Sequence, residues 1–591
     1  MKCALALLLV TSSLVASDLP RGYWAEEKCA ALLAKTEMIH LAPDLSHLTA
    51  DERAGLEALL EAGAIFQTLY EQRHEEAISA YVRLIGLHKQ LGKPEATGNL
   101  LQLYRLFQGP IATTLENKRE TFLPVSPEVP GKNVYPWGVT KDEIESFLAA
   151  NPADRDAILG ERTAVRRAIP ANLDRHLKTL QRYPVLDSLH PGLRAKLEAM
   201  AKKPDQKRLY AVPYAVAFGD DLMKAYRLLW KAAGKLEGSD PELARYLRNR
   251  ARDLLSGDYE SGDASWVTGH FKRLNAQIGA YETYDDALYG VKAFHSMSVL
   301  LLNEKATSEL RKALGGIQEI EDALPYDHHK KVRENIPVGI YDVIADFGQA
   351  RGTNTATILP NDPLFSRRYG RTILMRENIM THPAIFAGSL RGWKAVVEER
   401  FADDLKAEGN FHRTLWHEIG HYLGVDADRR GRPLDVALQE WADALEEMKS
   451  DLVSLLASQR LREKGLMTEG GLRAIQASGI RRTLLNVRPR REQPYQTMQL
   501  AQFNYFLENG LLAFDPASKR LEIRYDRYAS VVASLLREAL ALQYGGDKDA
   551  AGRLFDKYGA WTPELHEELA KRMRESEGAR FRIVKYAALG E

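Results

Sequence analysis

Apolar residues recur at helical intervals along most of this 591-residue chain, and only a few stretches alternate as strands do. Thr49-Ala50-Asp51-Glu52 is a capping-type start, and Leu56, Leu59, Leu60, Ala64, Ile65 and Leu69 follow it at helical spacing. The pattern predicts further helices over about 75–91, from 141 behind a Thr cap, over 221–236 and 241–256, and through most of 389–542. Residues 18–46 read as irregular, 124–136 as a Pro-rich bridge, and 209–219 as an extended, apolar, Pro-interrupted run. The best strand is 338–347, with 372–375, 521–525 and 581–584 as weaker ones; 357–363 is rich in breakers and reads as a turn. The fold class expected is α+β, predominantly α-helical with a modest β element.

One helical stretch carries chemistry: Leu415-Trp416-His417-Glu418-Ile419-Gly420-His421-Tyr422-Leu423-Gly424. His417 and His421 are i and i+4, so on a helix both imidazoles sit on one face and can reach one metal ion. Glu418 lies at the same edge, where it can take a proton from water held at the ion. The alternative is a surface helix with solvated side chains, and the apolar Trp416 and Ile419 count against it.

The identity of a third ligand decides the class. A metzincin would carry His or Asp six residues after His421, where Ala427 stands, so that solution is excluded. A Glu on a following helix is the other solution. The run 433–461 places Val436, Leu438, Trp441, Leu445, Met448, Leu452 and Leu455 at helical intervals. Within it Glu447 and Asp451 are i, i+4 and can face the first helix together. Glu447 would bind the metal, while Asp451 would accept a hydrogen bond from the far nitrogen of a ligand His. Two imidazoles and one carboxylate argue for zinc.

Composition narrows the partners. The chain is 45% hydrophobic and 27% charged, which is the balance of a folded globular protein. With 81 basic against 80 acidic residues the net charge is +1, so neither nucleic acid nor an anionic membrane is indicated as a partner. Met1-Lys2 followed by an apolar run to Val10 and small residues to Ser17 reads as a cleavable export signal over 1–17. That run is too short for a membrane anchor, since a spanning helix needs roughly 20 residues. The expected location is periplasmic or secreted. Once Cys3 is removed with the signal only Cys29 remains, so no intrachain disulfide is expected. The segment 277–290 packs Tyr281, Tyr284 and Tyr289 with Glu282, Asp285 and Asp286 between glycines, a composition that suits a site-lining loop.

Several stretches together resemble the dipeptidyl peptidase III family of zinc exopeptidases. They are Tyr210-Ala211-Val212-Pro213-Tyr214, the segment from Ile278 to Asp286, Leu359-Pro360-Asn361-Asp362, His417 to His421, Glu446-Glu447-Met448-Lys449-Ser450-Asp451 and Gln502-Phe503-Asn504-Tyr505. The likeness spans roughly 205–565. It implies that His417, His421 and Glu447 ligate zinc and that Glu418 is the catalytic Glu. It implies that Glu446 and Asp451 orient the ligands and that Tyr284 steadies the developing oxyanion. Glu282 would pair with the free amino terminus of an oligopeptide substrate, helped by the Asn361 amide. It also implies two lobes around a cleft, one helical and zinc-bearing, the other with a β-rich core. On that basis 18–300 is a mainly helical part of the non-catalytic lobe, 301–375 a β-containing segment lining the cleft, 376–555 the zinc lobe and 556–591 a C-terminal segment.

Three departures from the family pattern stand out. The family's usual motif has one more residue between its two histidines; the pentapeptide here fits an undistorted helix directly. Ile358 stands three residues before Asn361, where an Asn is usual, and it cannot hydrogen-bond a substrate. No His occurs between His421 and His566, so the site His of the family is missing; Tyr495 lies near its place and could donate a proton. The reaction expected is zinc-assisted release of dipeptides from peptide N-termini. An aminopeptidase or oligopeptidase of different register and a peptide-binding protein with reduced hydrolysis are the alternatives.

Overall fold

The computed structural model describes residues 19–332, 336–352, 354–360, 363–485 and 493–591, so the expected export signal and Asn361 lie outside the described residues. Among the described residues no helix is long and apolar enough to cross a membrane.

The fold is α+β with helix dominant, and its centre is one five-stranded sheet. We number its strands β1 (Leu274–Ala280), β2 (His295–Leu302), β3 (Val338–Gly348), β4 (Ala356–Leu359) and β5 (Thr372–Arg376). Their spatial order is β1-β2-β3-β5-β4. β3 and β5 are parallel and the other neighbours antiparallel, which leaves β4 as an open edge. β3 and β5 fall where the pattern predicts strands. β2 was not predicted: its Ser-Val-Leu-Leu-Leu run is covered on both faces, which erases the alternation that marks a strand. A domain boundary at residue 300 would run through β2. The turn expected at 357–363 begins as the edge strand β4, which ends before Pro360, a residue with no amide proton to offer a ladder.

Helix α1 (Ala50–Glu71) starts at the expected cap: Thr49 Oγ1 accepts from Glu52 N, and Glu52 Oε2 accepts from Thr49 N at 2.8 Å. It buries Leu56, Leu59, Phe66 and Leu69 and packs on β2 and β3 of the sheet. Gly63 permits that approach, because a Cβ there would lie 2.2 Å from the Phe347 ring. The run at 209–219 divides: Asp205–Pro213 is a strand paired with Thr163–Ala168, and the chain then turns helical at Tyr214–Ala217. Residues 19–46, expected to be irregular, hold a helix at Glu26–Leu33 and a strand, Thr36–Leu41, in parallel register with Phe581–Tyr586.

The second lobe is helical: α2 (Ala407–Gly420), α3 (Ala442–Glu463), α4 (Glu469–Thr483), α5 (Pro494–Glu508) and α6 (Tyr528–Gly545). The single helix expected over 433–461 is two. Leu434–Leu438 ends where Gln439 takes a left-handed φ of 52°, and α3 begins afresh after Trp441.

The sheet carries a charge in its interior. Asp346 on β3 is fully buried, and burial raises its carboxyl to about 6, with Arg376 and Ser298 drawing it back only in part. The folded state therefore holds this proton more tightly than the unfolded chain, whose carboxyl titrates near 3.8. The resulting stabilisation is present below that value and is lost as pH rises through about 6. Relative to the parent, Asp346→Asn should gain stability between about pH 4 and pH 7, by up to on the order of 3 kcal/mol. Urea unfolding at the two pH values checks this, and a constant offset between the proteins would refute it.

Candidate metal centre and active site

Helices α2 and α3 cross where α2 has a glycine. A Cβ on Gly420 would stand 2.9 Å from Ser450 O and 3.1 Å from Ser450 Cα, so the backbones touch. This contact brings Glu447 and Asp451, one turn apart on α3, against His417 and His421 on α2. Glu447 Oε2 lies 3.1 Å from His417 Nε2 and 4.0 Å from His421 Nε2. Among the described residues, these three form the one group of side chains whose donor atoms converge well enough to hold a metal ion, all within 4.8 Å of one another. Tetrahedral zinc with bonds of about 2.0–2.1 Å sets its ligands roughly 3.3 Å apart, which fits. Glu447 Oε2 is buried and has no hydrogen bond of proper geometry, although His417 Nε2 is near. A cation placed among the three atoms would satisfy them all.

Behind the ligands stands a network of charges. Asp451 Oδ1 is 2.7 Å from His417 Nδ1, out of line for a hydrogen bond as the ring stands. The same carboxylate accepts from Arg413 at 2.8 Å and from Arg482 at 2.9 Å. Burial alone would raise its pKa, but Arg482, His417 and Arg413 hold it far below the usual range. Glu446 Oε1 contacts His421 Nδ1 at 2.9 Å, and Gln543 donates to its other oxygen at 3.1 Å. Burial of Glu446 is outweighed by Lys449 and His421, which hold it at about 2. Burial lowers His417, yet the carboxylates of Asp451, Glu447 and Glu418 raise it to about 9. A dication bound at its Nε2 would displace that proton and take over the attraction.

Glu418 lies beside the ligands and lines a cavity of about 630 Å³ with His417, Arg413, Arg482, Tyr495 and Gln499. Thr355 and Ala356, at the start of edge strand β4, also line it. Tyr495 donates to the Glu447 carboxylate; burial and that charge push its hydroxyl above its ordinary pKa, so it stays protonated as a donor. Ile358 lies on β4 opposite Ile373 of β5.

Tyr284 and Glu282 belong to the other lobe, in the β1–β2 connection, and line no part of this cavity. Tyr284 is 69% exposed. Their loop is firmly held. Asp285 accepts from Tyr70 at 2.9 Å and Gln349 at 2.8 Å. Buried Asp286 accepts from Tyr135 and from the amides of Leu288, Tyr289, Val291 and Lys292. The Lys292 ammonium reaches Ile158 O, Gly160 O and Thr163 Oγ1, each at 2.7 Å. Six expected site residues thus meet: His417, Glu418, His421, Glu446, Glu447 and Asp451. Sequence reasoning missed Arg413, Arg482, Lys449 and Gln543. Arg413 was legible as the residue one turn before His417 on the same face, and Lys449 as part of the matched stretch from Glu446 to Asp451; Arg482 and Gln543 carried no such signal.

The same architecture occurs in two solved structures. That of DPP III from Caldithrix abyssi superposes with a TM-score of 0.77 at 23% identity, covering 95% of this chain and 99% of that one. Dipeptidyl-peptidase III from Corallococcus sp. strain EGB gives 0.70 at 23% identity, with 96% and 98% covered. The chain has the dipeptidyl-peptidase III fold. In this fold the near-complete coverage of both structures includes the sheet lobe as well as the helices of the metal centre, as the resemblance led us to expect. A curated relative, Nudix hydrolase 3 of Arabidopsis thaliana, is 29% identical over 448 residues, 74% of this chain and 55% of that protein. The chain spans about half the length of that relative, so the name assigns no activity to the shared stretch. No family model matches the chain.

Because the centre depends on the helix crossing, Gly420→Ala should force α2 and α3 apart. We expect a stability loss of about 1–3 kcal/mol and weaker zinc binding, since His421 and Glu447 would separate. Thermal unfolding of the metal-free protein and chelator competition measure the two effects; unchanged zinc affinity would refute the dependence.

Proposed function

We propose that this protein is a zinc metallopeptidase that releases dipeptides from the N-terminus of oligopeptides. The observation that carries the reading is the convergence of His417, His421 and Glu447 beside a Glu418 that faces a peptide-sized cavity. Zinc in that site would serve as a Lewis acid and lower the pKa of water.

The remaining steps fall to the chain's own side chains. Glu418 accepts a proton from the attacking water and returns it to the nitrogen of the leaving amine, so the carboxylate is regenerated in each cycle. Asp451 and Glu446 stand at the far nitrogens of the two imidazoles and, with the His417 ring turned into line, would hold both in one tautomer. The open edge of β4 bordering the cavity suits an extended peptide, which would add as a further strand through backbone hydrogen bonds. Glu282 and Asn361 would pair with the substrate's amino terminus, and Tyr284 would donate to the oxyanion. Glu282 and Tyr284 sit on a rigid loop of the sheet lobe, so they reach the substrate by approach of the lobes, which also excludes water.

A second reading, an aminopeptidase or oligopeptidase of another register, is favoured by Ile358, whose apolar side chain stands where an amide would measure out a dipeptide.

Glu418→Gln should bind zinc as the parent does and lose at least about a hundredfold to ten-thousandfold in kcat. Retention of near-parental turnover would overturn the assigned role. Mass spectrometry of products from matched peptides with free and acetylated N-termini separates the readings. Dipeptides from the free peptide alone support the first; cleavage of the acetylated peptide, or release of single residues, supports the second.

A further inference from the structure

Helix α2 ends inside the metal centre. Its last residue is Gly420, and His421 occupies the C-cap, so the second imidazole hangs from the turn least supported by the helix itself. The final carbonyls of a helix have no intrahelical donor. Tyr422 N and Leu423 N turn back to Ile419 O at 2.9 Å and Gly420 O at 3.1 Å, a tighter winding, and Gly424 then departs with φ +80°.

One side chain gathers what this turn leaves open. Lys449, 1% exposed, donates to Gly420 O at 2.9 Å and to Leu423 O at 2.8 Å. It also stands 2.8 Å from Glu446 Oε1. An ammonium has three protons, and these contacts use all three. The Glu446 oxygen it holds is the one facing His421 Nδ1 at 2.9 Å. From the far side Glu321, also buried, accepts from Gly424 N at 2.8 Å. Asp451, held by Arg413 and Arg482, stands behind His417 instead.

We propose that Lys449 is a positioning residue for the second imidazole: it fastens the end of α2 to Glu446 and thereby sets the place and tautomer of His421. This rests on the metal-centre reading above. A purely packing role would be met by any unbranched chain of similar length. The polar role requires a donor, because without one Gly420 O, Leu423 O and Glu446 Oε1 each lose the ammonium as a hydrogen-bond partner.

The test uses the full chain, with zinc alone as the probe, by chelator competition against the parent and His421→Ala. If the parent binds no zinc in a His421-dependent way, the metal-centre reading fails, and this inference with it. If it does, Lys449→Met should weaken zinc about 10–100-fold, and Lys449→Arg should recover to within about threefold of the parent. The cobalt(II) absorption of Lys449→Met should change shape and that of Lys449→Arg should not, while KM for a peptide stays near parental in both. A folded Lys449→Met with parental zinc affinity overturns the inference and leaves the metal centre standing. Should Lys449→Met fail to fold, Lys449→Arg and Glu446→Gln decide it. Parental affinity in the first with at least about tenfold loss in the second supports the role, and any other pairing overturns it.

Discussion

The contact between Gly420 and Ser450 is the constraint on which the rest depends. Two helices that touch backbone to backbone set their side chains at fixed heights, and here the heights are those of His417 and His421 on one and of Glu447 and Asp451 on the other. Any side chain at 420 larger than hydrogen would open this crossing. The glycine inside the pentapeptide is thus not a neutral spacer between ligands. It is what allows a carboxylate remote in sequence to join them.

Bringing four carboxylates to one place has an electrostatic cost, and the structure distributes it unequally. Arg413 and Arg482 neutralise Asp451, and Lys449 neutralises Glu446, to which Gln543 also donates a hydrogen bond. Among the described residues, Glu447 receives Tyr495 and an ill-aligned imidazole, and one of its oxygens is left buried without a hydrogen bond. Groups that orient are satisfied by protein, while the group that would ligate is not. A buried charge is stable only when paired, so this imbalance itself points to a cation. The sheet lobe is built on the opposite plan. Its 281–294 loop is pinned through Asp285, Asp286 and Lys292, and Glu282 and Tyr284 on that loop stand away from the cavity.

The sequence by itself determined what is local. Spacing of i, i+4 on a helix holds wherever the helix lies, so the paired imidazoles of α2 and the Glu447–Asp451 pair of α3 were readable, as were the Thr49 cap and strand β3. It failed where neighbours in space overrule local pattern. β2 lost its alternation because both faces are covered, and the helix at 433–461 broke at a left-handed Gln439 that no periodicity marks. Only the tertiary structure decided that α2 and α3 meet at Gly420, that Arg482, Lys449 and Gln543 converge behind the ligands, and that edge strand β4 begins at the cavity. The physical reason is that periodicity encodes which face of an element is apolar. Which two faces meet, and at what height, is set by close packing between segments far apart in the chain, and one sequence read along its length carries no record of it.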